Sequence, residues 1–503
     1  MAAAYRKTRW PVPGRTIMNR RGRGRRAHPT VLAPSSPQAG DPPANRPATA
    51  DGARPPSGTS VLKAGQGPSQ HRGGGSAWCS AEEVAAVGSA PASRRNQLAV
   101  VLSTAAGSVA RAVGPGEGEA VRGRVLLAVD PKALSRAAAG RRICLVSGSN
   151  GKTTTTRMIV EALLTGGPVC SNPTGANMPS GLASALAASA AVRAVLEVDE
   201  AYLPAAAQAT CPDLVVLTNL SRDQLDRHAE VSDIARRWRQ ALARLPTTSV
   251  VVANADDPLT VWAAFGAPNA TWVAAGQMWT SDASLCPACG GILQTAPGDW
   301  SCPQCSLRRP EPTWVLQGES IVDPEGHTHR LDLGLPGHAN AADAALASAA
   351  AHRFGIPTTT ALAALSQIRS VQGRYSIHRV AGQEIQLILA KNPASWTELL
   401  DVLTDSRDPL VIASHGRGAD GRDLSWIWDV EFERLRGRPV AVIGERQLDM
   451  AVRLSTAGVE PLLAADLISA IHRLPPAPRV RVIASYTALQ QLRRQLHQPA
   501  VQG

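Results

Sequence analysis

The stretch "RRICLVSGSNGKTTTTRMIVEALLTGG" (141–167) constrains this chain more than any other. An apolar, β-rich run ends in glycine, passes through small and hydroxylated residues around one lysine, and enters a helical pattern. A strand, a tight loop and a helix in that order form a shortened version of the G-x-x-x-x-G-K-[ST] phosphate loop. Gly148, Asn150 and Gly151 let the backbone N–H groups turn inward around phosphate oxygens, and the following helix adds its positive N-terminal dipole. Lys152 reaches the β/γ-phosphates, Thr153 offers its hydroxyl to Mg²⁺, and Thr154 completes the first turn.

The surrounding pattern is that of a parallel α/β sheet. "AVLEVDEA" (194–201), "DLVVLTNL" (213–220) and "SVVVAN" (249–254) read as buried strands, with "RRWRQALARL" (236–245) as a helix between the last two. A carboxylate is expected beside the loop to share the metal. Glu197 at the end of its strand is the first candidate, with Asp199 and Glu200 as close rivals. Upstream, "NQLAVVLSTAAGSVARAV" (96–113) has helical spacing and "RVLLAV" (124–129) reads as a short strand. Near Arg374 the pattern resets. "EIQLILA", "DPLVIAS", "RPVAVIG" and "RVRVIAS" are four further strands, separated by the helical "ASWTELLDVLT" and "ERQLDMAVRLSTAG", and imply a second α/β domain.

Charge separates the tail from the body. The net charge of +12 over 503 residues is concentrated in residues 1–95, which carry 15 Lys/Arg and 4 Asp/Glu; the remainder is close to neutral. Residues 1–92 are rich in Pro, Gly, Ser and Arg and are expected to be disordered. The neutral body and only three Phe argue against a basic groove or stacking platform, so no nucleic-acid partner is expected. No apolar run of 18 residues suggests a transmembrane segment, and the arginines near the N-terminus precede no apolar segment of a secretion signal, so a cytoplasmic location is expected. Four of the eight cysteines, Cys286, Cys289, Cys302 and Cys305, form C-x₂-C-x₁₂-C-x₂-C. This spacing points to a tetrahedral zinc site in a ribbon at about 283–310, closed by four thiolates and therefore structural.

These motifs resemble the Mur ligase superfamily, which joins a carboxylate to an amine using ATP. "GSNGKTTT" is similar to its phosphate loop. "TNLSRDQLDRH" (218–228), "NADDP" (254–258), "LPGHANAADAALASAA" (335–350) and "QGRYS" (372–376) match in kind and order. Two absences separate the chain from the amino-acid-adding branches: Gln224 stands where they carry a metal-binding histidine, and no lysine lies between Lys152 and Lys391 to be carbamylated. The cysteine cluster, "RDQLDR", "LAKNPASWTELL" (389–400) and "ADGRDLSWIWDVEFE" (419–433) look like the MurT-like branch.

The resemblance implies a tail (1–92), a short N-terminal segment (93–140), a central ATP-binding Mur ligase domain (141–372) and a Rossmann-like C-terminal α/β domain (373–497). It implies amidation of the D-glutamate α-carboxylate of lipid II through an acyl phosphate, at the inner face of the membrane. ATP, Mg²⁺ and Zn²⁺ are the implied cofactors, and a GatD-like glutaminase subunit the implied partner and ammonia source. Lys152, Thr153 and Glu197 match catalytic positions; Asn254, Asp257 and Arg374 are candidate nucleotide contacts. Asp423 matches the aspartate that completes the glutaminase triad, with Asp420 and Asp429 as alternatives. Asp343 stands where the family usually has an asparagine for the base. The remaining readings are an amino-acid-adding or folylpolyglutamate-type ligase and a zinc-ribbon nucleic-acid-binding P-loop protein.

Overall fold

The computed structural model describes residue 103 and residues 118–172, 176–222, 230–276, 281–335, 337–371, 374–380, 382–404, 406–416 and 423–497. The tail, most of the helical reading at 96–113, Gln224, Gln372 and Asp420 lie outside the described residues. All the described residues belong to one compact unit.

Two helices open it, α1 (Gly118–Val129) and α2 (Ala133–Ala138). The expectation of a strand at 124–129 is thus corrected to the end of a helix. An arginine and five apolar residues cannot decide between the two by themselves. Packing decides: Leu126 is buried, and Gly123 lies against a neighbouring helix so closely that a Cβ would stand 1.8 Å from the carbonyl oxygen of Ser180.

The chain then alternates as β1 (Arg142–Ser147), α3 (Lys152–Leu164), β2 (Val169–Ser171), α4 (Pro179–Ala188), β3 (Arg193–Glu197), α5 (Leu203–Thr210), β4 (Leu214–Leu217), α6 (Val231–Leu242), β5 (Val250–Asn254), α7 (Pro258–Ala264) and β6 (Ala270–Ala274). A cysteine-bearing segment with β7 (Gln294–Ala296) and β8 (Asp299–Ser301) follows. Then come β9 (Trp314–Gln317), β10 (Ser320–Val322), β11 (Thr328–Arg330), α8 (His338–Arg353) and α9 (Thr358–Leu365). The sheet order is β11-β10-β9-β6-β5-β4-β1-β3-β2. It is parallel from β9 to β2, with β10 and β11 added antiparallel. Both faces are covered. Ile143 and Leu145 enter one core, while Cys144 and Val146 enter the other. This is why β1 reads as a continuous apolar run. β1 lies between β3 and β4, so its carboxyl end is the point where the strand order reverses, where open α/β sheets take ligands.

The second layer system comprises β12 (Tyr375–Val380), β13 (Gln383–Leu389), α10 (Pro393–Thr404), β14 (Leu410–Ala413), β15 (Val440–Ile443), α11 (Gln447–Thr456), β16 (Leu462–Leu463), α12 (Leu467–Arg473), β17 (Arg479–Ala484) and α13 (Tyr486–His497). Its order is β12-β13-β17-β14-β15-β16, parallel except at β12. All four strands expected from the sequence are present. Two buried clusters again cover the two faces.

Candidate functional site: a phosphate loop between two sheets

The loop 148–151 leaves β1 at the reversal point and runs into α3. Two of its glycines are required. Gly148 and Gly151 have φ of 148° and 81°, and a Cβ would meet the Thr218 hydroxyl at 2.0 Å or the Asp343 carboxylate at 2.3 Å. Segment 218–221, after β4, braces the loop. Ser149 N–H donates to the Asn219 carbonyl (2.9 Å), Thr218 Oγ1 to the Asn150 carbonyl (2.6 Å), and Asn150 Nδ2 to Ser221 Oγ (3.1 Å). α3 begins at Gly151 with no side-chain cap, so its first-turn amides and dipole face the cleft.

Lys152 is 4% exposed, and its Nζ lies 3.1 Å from Glu200 Oε2. Glu200, the rival carboxylate, is therefore the lysine's ion-pair partner. Glu197, also 4% exposed, ends β3. Asn172 clamps its backbone through bonds of 2.8 and 2.9 Å, and Asn177 Nδ2 reaches its carboxylate at 3.4 Å. Glu197 and Thr153 line one cleft of about 360 Å³. Arg374, at the entry to the second sheet, donates to Thr153 Oγ1 at 3.1 Å. Lys152, Thr153, Glu197, Glu200 and Arg374 thus gather at one end of α3.

On its other side the loop borders a smaller cleft, about 50 Å³, lined by Asn150, Gly151, Asn254, Asp343 and Glu398 among others. Asn254 accepts from the Asp256 amide (3.0 Å). Asp257 accepts from the amides of Leu259 and Thr260 at the start of α7, and from Leu220 (2.6 Å). Its role seen here is to cap α7 and tie down the segment after β4. Thr154 is buried on the first turn of α3. Asp343, 6% exposed, accepts from Thr155 Oγ1 at 2.9 Å. Burial pushes its carboxyl well up, opposed by the Thr155 bond and reinforced by nearby Glu398. Burial likewise pushes Glu398 up to about 7, with Asp401 adding to the effect. Glu398 was missed from sequence, because a glutamate inside an amphipathic helix reads as a solvated face.

The two layer systems meet at these clefts. Besides Arg374, Asn392 donates to Asn150 Oδ1 at 3.2 Å. Arg222 pairs with Asp282 and, at 3.1 Å, with Asp429 of the second sheet system. Asp423 is exposed. Its Oδ1 accepts from the Ser425 amide at 2.8 Å, which holds the carboxyl below its ordinary range.

The sulfur atoms of Cys286, Cys289, Cys302 and Cys305 lie within 4.8 Å of one another, with Cys286–Cys305 at 3.7 Å and Cys289–Cys302 at 3.5 Å. A tetrahedron with metal–sulfur bonds of about 2.3 Å has edges of about 3.8 Å, so the donor set fits such a metal. The segment packs on α7 through Val261, Leu293, Trp300 and Leu307. It is pinned beside the "NADDP" turn by Trp300 Nε1 to the Ala255 carbonyl (3.0 Å) and Arg309 to Asp256 (2.7 Å).

The Mur ligase middle domain family matches residues 146–277, and the MurT ligase C-terminal family matches residues 389–489. The chain is a MurT-like member of the Mur ligase superfamily. A protein named lipid II isoglutaminyl synthase (glutamine-hydrolyzing) subunit MurT, from Streptococcus pneumoniae (strain ATCC BAA-255 / R6), is 29% identical over 76% of this chain and 93% of its own length. The protein of the same name from Staphylococcus aureus (strain N315) is 27% identical over 80% of this chain and 98% of its own. Among solved structures, a pseudomurein peptide ligase type C from Methanothermus fervidus superposes with a TM-score of 0.55 at 18% identity, covering 70% of this chain and 78% of that one. The first family match spans the phosphate loop, Glu197 and the Asn254–Asp257 turn. The second spans Asn392, Glu398 and Asp423. No helix among the described residues of this MurT-like chain is long and apolar enough to cross a membrane.

Proposed function

We propose that this MurT-like chain is the ATP-dependent half of a lipid II amidating enzyme. In this reading it converts the D-glutamate α-carboxylate of the stem peptide to the amide at the cytoplasmic face of the membrane. The observation that carries this is Thr153 and Glu197 lining one cleft, with Arg374 of the second sheet system bonded to Thr153 and Lys152, next along α3, ion-paired with Glu200, in a chain whose second domain matches the MurT C-terminal family.

A carboxylate is a poor acyl donor because oxide is a poor leaving group. Its oxygen attacks the γ-phosphorus of ATP, ADP departs, and an acyl phosphate remains. Ammonia then attacks the acyl carbon, phosphate leaves with the former carboxylate oxygen, and the nitrogen loses a proton. Both partners of the first step are anions, so the chain must neutralise charge and fix their approach. Lys152, on leaving Glu200, would meet phosphate oxygens, and Arg374 would bring a second cation to them from the second domain. Thr153 and Glu197 would hold Mg²⁺, which when bound supplies further neutralisation of phosphate charge. The cleft holding Asn254, Asp343 and Glu398 takes the remainder of the nucleotide.

Ammonium predominates over ammonia at neutral pH and is not nucleophilic, so a glutaminase partner of the GatD-like kind supplies ammonia in place. Asp423 is exposed and unprotonated, as needed to orient the partner's catalytic histidine. The four cysteines hold Zn²⁺ as a structural clamp beneath the Asn254–Asp257 turn. Use of lipid II labelled with ¹⁸O in the glutamate carboxylate tests the chemistry. One ¹⁸O in the released phosphate per amide formed is expected; unlabelled phosphate contradicts the acyl phosphate.

A further inference from the structure

The larger cleft contains more than the phosphoryl step uses. Beyond Thr153 and Glu197, its described lining includes Arg157 from α3 and Arg493 from α13, together with hydroxyls such as those of Ser171 and Ser376. The charged groups of that lining are therefore two arginines and one glutamate, and the arginines come from different layer systems. Arg157 pairs with Glu161 at 2.8 Å, but its side chain is 54% exposed. Such a surface pair is weak and readily exchanged. Arg493 sits deeper, with its Nε buried.

Resting on the function proposed above, we propose that Arg157 and Arg493 form an anion clamp. It grips a second negatively charged group of the acceptor while the reacting carboxylate lies at the Thr153–Glu197 end. Guanidinium groups match carboxylate and phosphate oxygens in a bidentate manner. Anchoring a remote anion fixes the approach of the reacting one, which charge repulsion from ATP otherwise opposes. An acceptor that engages both arginines also bridges the two domains. The anion is either a peptide carboxylate or the acceptor's diphosphate, which share this chemistry.

The test is calorimetric binding to the full chain, with Mg²⁺ and a non-hydrolysable ATP analogue. Three soluble acceptors are compared: muramyl pentapeptide diphosphate, the same molecule with an amidated terminal carboxylate, and the same molecule without the diphosphate. Arg157→Gln and Arg493→Gln should each raise Kd about tenfold or more for acceptors carrying the gripped anion. The change should be twofold or less for the derivative lacking it, which identifies the anion. Lysine at either position should recover part of the affinity, and binding of the ATP analogue should not change. Thermal melts confirm that the variants fold, and the lysine variants stand in where a glutamine variant does not. Equal losses for all three acceptors, no loss, or no acceptor binding by the unaltered chain would overturn the clamp. Anion-dependent binding without amidation leaves the clamp standing and sinks the proposed reaction; amidation with anion-independent binding does the reverse.

Discussion

The phosphate loop and the Asp423 corner carry charge in opposite ways. At the loop, Lys152 and Glu197 are each 4% exposed and held by several partners. Asp423 is exposed, and the structure shows it bonded to the Ser425 amide. A buried charged group must find its partners within the chain, or burial costs several kcal/mol. An exposed one can await a partner from another chain. On the proposed function, the first region acts on nucleotide alone, and the second completes the site of the glutaminase partner.

The sharpest expected separation comes from Lys152→Ala. It should lower ATP-dependent amidation by about a thousandfold or more with either nitrogen source and leave glutaminase binding intact, as read by product mass and co-elution. Cys302→Ser should follow. It removes one of four donors, so bound zinc measured by elemental analysis and the melting temperature should fall together. A stable, active, zinc-free variant contradicts the structural clamp. Asp423→Asn should reduce glutamine-driven amidation about a hundredfold or more while ammonium-driven amidation stays within about twofold. Asp429→Asn, which loses a partly exposed pair with Arg222, should spare both. Equal loss with both nitrogen sources would remove Asp423 from the partner's triad.

The smallest effect concerns the nucleotide cleft. Burial raises Glu398 from its ordinary 4.5 to about 7, so the folded chain binds this proton more tightly than the unfolded chain. Stability then declines as pH rises from about 4.5 to 7 and is level above that. Glu398→Gln should remove this share of the decline, a relative stabilisation at pH 8 of about 1–3 kcal/mol, seen in urea melts at pH 4.5 and 8. An identical pH slope in both proteins contradicts a half-buried Glu398 that holds its proton in the folded chain.

What the sequence disclosed follows the same division. Strands buried on both faces leave continuous apolar runs, so β1, β3, β4, β5 and the four strands of the second sheet could be read directly, as could the loop between β1 and α3. The segment 124–129 misled because a short apolar run carries no period, and a helix-to-helix contact at Gly123 settled it. Glu200 at Lys152, the capping role of Asp257 and the rise of Glu398 depend on which distant segments fold together. Spacing along the chain holds no record of that.

The most direct measurement is the mass of lipid II after incubation with this chain, ATP and Mg²⁺, with high ammonium or with glutamine and the glutaminase subunit. The proposed reaction predicts an ATP-dependent loss of about one mass unit per glutamate, as hydroxyl gives way to amine, with both nitrogen sources. Unchanged lipid II under both conditions, with the chain folded and zinc bound, would contradict it.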